Sequence, residues 1–251
     1  MYKILANLGF KSNTIHYLPS CHSTNEIAAN LLGQVVNEGE LVITDDQTDG
    51  SGQRGKKWES APYLNLTFSL ILMPEFLALQ NQFRLTQAIS VSLASIIQAK
   101  IPNLVKIKWP NDIYVEDKKI AGILIQNTLR GKGIEYSIIG IGLNVNQIGF
   151  SISNASSLKI IAQKDFVLND LLNDLVQEIS ENYHGLKTGN HRFLNEAYQN
   201  LLYKINVEER FVAETEFKGT IIGTDQLGRL LIKSDGTVRS FQNNEVRFAS
   251  L

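Results

Sequence analysis

The sequence predicts an α+β fold, a mixed, mainly antiparallel sheet flanked by helices, followed by a small all-β region. Three observations carry this reading. Apolar periods arrive in β-rich and α-rich blocks, without the regular strand–helix alternation of a doubly wound sheet. Between residues 105 and 145 four strand-like segments follow one another with turn residues between them. From about residue 204 the helical period disappears, and short strands punctuated by Gly228 and by Ser234-Asp235-Gly236 run to Phe248. Two domains are therefore expected, at 1–203 and 204–251.

The first helix signal is Ser23-Thr24-Asn25-Glu26 before Ile27, Ala28, Leu31 and Leu32, closed by Gly33, which reads as a capping box ahead of an apolar stripe. Residues 40–44 (ELVIT) read as a strand. The polar stretch 45–60 holds three glycines and no aliphatic residue, so it reads as a loop. Residues 65–73 form a buried strand, and 83–100 is apolar on most faces and long enough for a central helix. Strands follow at 105–109, 112–115, 119–126 and 135–145, with a tight turn at Glu116-Asp117-Lys118 and a looser one at Gly131-Lys132-Gly133. Helices resume at 165–186 and 192–203.

Composition sets the class. With 251 residues, 43% hydrophobic, 20% charged, 8% aromatic and 5 prolines, the chain can bury a sizeable core without disulfides or metal. Its 24 basic and 25 acidic residues leave a net charge of −1, so the molecule as a whole has no field to attract nucleic acid or an anionic membrane. Any anion site must be local. A lone Cys21 and four scattered histidines offer neither a bridge nor zinc spacing, which favours a reducing, cytoplasmic compartment. No apolar run approaches the ~20 residues of a membrane span.

Three clusters could carry chemistry. The loop Gln47-Thr48-Asp49-Gly50-Ser51-Gly52-Gln53-Arg54-Gly55-Lys56-Lys57-Trp58 combines glycines that let backbone approach a ligand with three basic side chains and a terminal aromatic. It suits a phosphate or carboxylate, yet it is neither a Walker loop nor a dinucleotide fingerprint. The second cluster is Lys106-Ile107-Lys108-Trp109-Pro110-Asn111-Asp112 with Lys118-Lys119-Ile120-Ala121-Gly122. Its hairpin returns Lys119 towards Asp112, so a cation and a carboxylate can share a pocket; solvated edge lysines are the plainer alternative. The third, Gly140-Ile141-Gly142-Leu143-Asn144, ends an apolar strand and reads alternatively as a β-bulge or turn.

Taken together, in this order and spacing, the clusters resemble the biotin protein ligase family from about Ser20 to Phe248. Ser23-Thr24-Asn25 matches an early S-T-N segment of the biotin pocket. Gln47 and Gly50 to Trp58 resemble the family's G-R-G-R-x-G-R-x-W loop over biotin and the adenylate. Lys108 to Asp112 and Lys119 to Gly122 match K-W-P-N-D and K-x-x-G, and Gly142-Leu143-Asn144 matches a late G-x-N. In the loop Ser51, Gln53 and Lys56 stand where the pattern has arginines, so a fork-shaped donor is replaced by a point charge or by none.

The resemblance implies a catalytic fold of the biotin–lipoate ligase, class II aminoacyl-tRNA synthetase-like kind with a terminal SH3-like domain. It implies ATP-dependent activation of biotin as biotinyl-5'-adenylate, with Mg2+, and transfer to a lysine of a biotin carboxyl carrier protein. Biotin is assigned to Ser23, Thr24, Asn25, Gln47, Gly50, Ser51, Gly52, Gln53, Trp58, Lys119 and Gly122. ATP is assigned to Arg54, Lys56, Trp58, Lys108, Asn111, Asp112 and Asn144, with Mg2+ near Asp112 and Asn144. Lys119, Arg54 and Asp112 are the expected catalytic groups. Only about 20 residues precede Ser23, so the expectation is a monofunctional enzyme that does not bind DNA. Edge strands allow a homodimer without requiring one. The alternatives are a lipoate–protein ligase and, in another class, a nucleic-acid-binding module that would stack bases on Trp58 and Trp109.

Overall fold

A computed structural model describes residues 2, 10, 12, 14–52, 55–131 and 133–249. The larger sheet is built from β1 (Ile15–Cys21), β2 (Leu41–Gln47), β3 (Leu66–Leu72), β4 (Val105–Lys108), β5 (Asp112–Val115), β6 (Lys118–Arg130) and β7 (Gly133–Leu143). Its order is β1-β2-β3-β7-β6-β5-β4, and every neighbouring pair is antiparallel except β1 with β2. The helices are α1 (Thr24–Leu31), α2 (Phe83–Lys100), α3 (Leu158–Ala162), α4 (Leu168–Lys187) and α5 (His191–Leu201).

Strand alternation gives this sheet two unlike faces. Leu41, Ile43, Leu66, Phe68, Leu70, Ile139, Ile141 and Leu143 join Leu85, Ile89 and Leu93 of α2 and Leu172, Leu175 and Ile179 of α4 in one core. Burial stabilises each such aliphatic side chain by roughly 1.5–3 kcal/mol relative to exposure. On the opposite face Val42, Ile71 and Ile138 meet Ala28 of α1 in a smaller cluster. The positions that continue this second face are small or polar. Val42 pairs with Ser69, Ser69 with Gly140, Thr67 with Gly142, and Gly142 with Gly122. A shelf without bulk therefore opens beside α1.

The remaining strands, β8 (Glu208–Val212), β9 (Glu216–Thr224), β10 (Leu230–Ser234), β11 (Thr237–Phe241) and β12 (Arg247–Phe248), form a five-stranded antiparallel sheet. Phe211 and Phe248 pack at a ring separation of 5.0 Å, and Phe217 stacks on Phe241 at 5.8 Å. This sheet is tied back to the larger one. Tyr203 N–H donates to Ile107 O at 2.8 Å, and Trp109 Nε1 donates to Gly228 O at 2.8 Å. Gly228 has φ +82° and a Cβ there would stand 2.3 Å from Phe83, so only glycine fits.

The predicted 83–100 helix and 112–115 strand coincide with α2 and β5. Other elements differ for identifiable reasons. β1 carries Pro19 and so lacks a strand signature, but it lies at the sheet edge, where a residue without an N–H is tolerated, and Pro19 has no register partner. Pairing of Ser20 with Asp46 and Cys21 with Gln47 carries β2 into the segment expected as loop. Ser23 occupies the N-cap of α1 with extended backbone, but its side chain makes no capping bond, and Glu26 pairs instead with His22 at 2.9 Å. The capping box is thus a box in position only. Gly140 and Gly142 stay in regular register, so the third cluster is neither a bulge nor a turn. The short α3 went unread; Ser157 Oγ caps it by accepting from Ile160 N–H at 3.3 Å. Among the described residues no helix is long and apolar enough to cross a membrane.

Candidate active site

The shelf is the floor of a cavity of about 520 Å3, within the usual size of a small-molecule site. The N-terminal end of α1 reaches over it because Gly140 has no side chain: a Cβ there would lie 2.2 Å from Asn25 Oδ1. Asn25 and Thr24, both buried, are held by a chain of hydrogen bonds. Thr24 N–H donates to Gln47 Oε1 at 2.9 Å. The Ser69 hydroxyl donates to Asn25 Oδ1 at 2.6 Å and is 2.8 Å from Thr24 Oγ1, and Asn25 Nδ2 donates to Gln126 Oε1 at 2.8 Å.

Trp58 lies against Gly122 and Gly142, where Cβ atoms would come within 3.2 Å and 2.3 Å of its indole. Its Nε1 is buried without a partner. The backbone that delivers it is a small hairpin: Trp58 N–H donates to Gly50 O at 2.8 Å and Gly52 N–H to Lys56 O at 2.6 Å.

The β5–β6 hairpin supplies the charged wall. Lys119 Nζ meets Asp112 Oδ1 at 2.7 Å, with both side chains about a quarter exposed (25% and 29%), and sits 5.5 Å above the Trp58 ring. Lys108 Nζ is 3.3 Å from the Tyr114 hydroxyl. Burial pulls the Lys108 ammonium below its ordinary range, Asp112 opposes this, and Lys119 and Lys56 add to it through their charge. Burial, then Asp112, raises the Tyr114 phenol, which stays protonated. Lys56, Lys57, Lys108, Lys119 and Arg247 line the cavity against one carboxylate, Asp112, among the described lining residues. A chain of net charge −1 thus encloses a locally cationic site.

Of the residues singled out in the sequence, Ser23, Thr24, Asn25, Gln47, Ser51, Gly52, Lys56, Trp58, Lys108, Asn111, Asp112, Lys119 and Gly122 line this one cavity. Gly50 stands just behind it, packed where a Cβ would meet Gln47 Nε2 and Trp58 O at 2.6 Å. Asn144 is placed differently from its assignment to ATP: it is buried outside the lining, its Nδ2 donates to Ser156 O at 3.0 Å, and its Oδ1 has no partner. Gln53 and Arg54 lie outside the described residues. Lys106 points away, donating to Asn200 O at 3.2 Å. Thr67 and Tyr114, Arg247 and Phe248 of β12, and Ser69, which reaches the site through Asn25, were missed, since only strand order brings them here. Of the two tryptophans in the nucleic-acid alternative, Trp58 lies against the glycine floor and Trp109 donates its indole N–H to Gly228 O.

Residues 17–144, just over half of the chain, match the model of the biotin/lipoate A/B protein ligase family. Among curated proteins, the bifunctional ligase/repressor BirA of Bacillus spizizenii is 37% identical over 149 residues, 55% of this chain and 46% of that protein. The bifunctional ligase/repressor BirA of Escherichia coli is 26% identical over 248 residues, 94% of this chain and 74% of that protein. The chain thus spans about half the length of the Bacillus relative and about three quarters of the Escherichia one. Among solved structures, the biotin protein ligase from Aquifex aeolicus in complex with biotin and ATP superimposes with a TM-score of 0.80 at 27% identity, covering 95% of this chain and 100% of that one. Matching family model, full-length structural likeness and the shared order of motifs agree, and the chain belongs to the biotin/lipoate A/B protein ligase family.

Proposed function

We propose that the chain is an ATP-dependent biotin–protein ligase acting on a biotin carboxyl carrier protein or domain. The observation that carries this reading is the set of cations gathered over a glycine floor in a nearly neutral chain. Joining a carboxylate to a lysine amine in water needs prior activation of the acid. A biotin carboxylate oxygen attacks the α-phosphorus of ATP, the bond to the β-phosphate oxygen breaks, and pyrophosphate leaves. The acceptor amine then attacks the acyl carbon of the adenylate, AMP leaves, and the amine loses a proton.

Bringing two anions together requires positive charge fixed in advance. Lys119 serves the biotin carboxylate and then the α-phosphate, giving up its bond to Asp112 as they arrive, while Lys108 and Lys56 face the polyphosphate. Lys108 and the Asn111 end of β5 belong to one rigid hairpin, so they need no reorganisation. Thr24 and Gln47 offer hydrogen bonds for the ureido ring, and Trp58 with the glycine strands offers an apolar slot for the chain of the acid. Asp112, freed from Lys119, orients the incoming amine and can take its proton. Among the described residues no group of three His, Cys, Asp or Glu side chains gathers as a metal site. The single carboxylate Asp112 fits Mg2+ that enters on the phosphates, as such ions commonly do, and that supplies charge neutralisation there. The 204–251 segment is a small β domain on this reading, and β12 completes the cavity's far wall.

Incubation of the chain with ATP, Mg2+ and either biotin or lipoate, followed by the intact mass of a carrier domain, tests the proposal. A biotin-sized increase supports it; a lipoyl-sized one transfers the assignment to the lipoate branch. No adduct and no acid-dependent ATP–pyrophosphate exchange would end both.

A further inference from the structure

Asn25 lines the cavity and is at the same time anchored to the sheet by its amide. Both polar atoms of its amide are already used within the protein: Nδ2 donates to Gln126 Oε1 at 2.8 Å and Oδ1 accepts from Ser69 Oγ at 2.6 Å. Its Oδ1 also fills the space where a Gly140 Cβ would stand. The same Ser69 hydroxyl lies 2.8 Å from Thr24 Oγ1, and Thr24 fixes Gln47 through its backbone N–H.

We infer that Gln126 and Ser69 are positioning residues that clamp Asn25 and, through Thr24 and Gln47, set the acid-recognising end of the site. This rests on the biotin ligase reading and deepens it. Gln126 is exposed on β6 and absent from the cavity lining, so it cannot touch the acid itself. Ser69 is wholly buried on β3. Neither belongs to a sequence motif; strand register places Ser69 beside Gly140 and sets Gln126 two residues further along the face that Leu124 and Gly140 share. The clamp ties α1 to two strands that are not neighbours, β3 and β6, across β7.

Gln126→Met removes the acceptor at similar length from an exposed position, so the fold is retained. The measurement is biotin-dependent ATP–pyrophosphate exchange, with KM for biotin and for ATP determined separately and the melting temperature recorded. Gln126→Met is expected to raise KM for biotin about five- to tenfold, the loss of one partly buried hydrogen bond, with KM for ATP and the melting temperature unchanged. Gln126→Glu keeps an acceptor for Asn25 Nδ2 and restores KM to near the parent value. Gly140→Ala, which drives a methyl group into Asn25 Oδ1, reproduces the biotin defect from the other side. An active parent enzyme with an unaltered biotin KM in Gln126→Met overturns the clamp alone. Equal losses for both substrates, or a lowered melting temperature, overturn it as well. A parent chain without biotin-dependent exchange overturns the ligase reading and the clamp with it.

Discussion

Lys119 and Asp112 lie on adjacent strands and join at 2.7 Å inside the cavity, each about a quarter exposed. The bond occupies the lysine that the proposed chemistry needs, so substrate anions must compete for it. Lys119→Ala is expected to reduce exchange at least about a hundredfold. The loss in stability should be about 1 kcal/mol or less, because a partly exposed pair is screened. Exchange assays with a parallel thermal melt check both.

Asp112→Asn keeps the size of the side chain and removes the proton acceptor. Transfer from isolated biotinyl-adenylate to a carrier domain should slow more than exchange does. Slowed exchange with unaltered transfer would place Asp112 in the first half-reaction only.

Lys108 carries a stability prediction with a sign. Burial lowers its folded-state pKa, so the charged form is disfavoured by folding at neutral pH. As pH rises through the interval between the lowered value and the ordinary lysine value, the unfolded chain binds more protons than the folded one, and stability increases. Lys108→Met abolishes that dependence. The melting temperature of the variant should exceed the parent's at pH 7, and the difference should shrink as pH approaches the ordinary lysine range, while ATP-dependent exchange is lost throughout.

Gly142→Ala places a methyl group 2.3 Å from Trp58 Cε2. The indole must leave the floor, at a cost of about 1–3 kcal/mol if it moves only partly. With two tryptophans in the chain, a Trp109→Phe background isolates Trp58 emission, which should shift to the red as the ring becomes hydrated.

Gln53→Arg restores a guanidinium that the loop pattern has and this chain lacks. Escape of biotinyl-adenylate should slow about fivefold, on the scale of one charge-assisted hydrogen bond. Single-turnover release of labelled adenylate measures it, and Arg54 compensating already would leave the rate unchanged.

What could be read beforehand was what lies close along the chain. Lys108, Asp112, Lys119 and Gly122 fall within one hairpin, so strand alternation alone places them together. α2 declares itself by length and apolarity. β1 did not, because Pro19 disguises an edge strand and its parallel partner lies more than twenty residues on. Ser69 and Gln126 were illegible as site residues, since their meeting at Asn25 depends on β7 inserting between β3 and β6. Asn144 shows the converse: its motif matched, yet its amide holds Ser156 in the wall behind the cavity.

The indole N–H of Trp109 rests on Gly228, a glycine that alone can pass over Phe83. Severing the chain after residue 203 would therefore strip a hydrogen-bond acceptor from the very residue that precedes Pro110 and Asn111, and would bare Phe83 and the Tyr203 face that meets Phe248. The tail is a buttress for the hairpin to which the proposal gives the nucleotide, and on that proposal a shortened protein should lose use of ATP before it loses the central sheet.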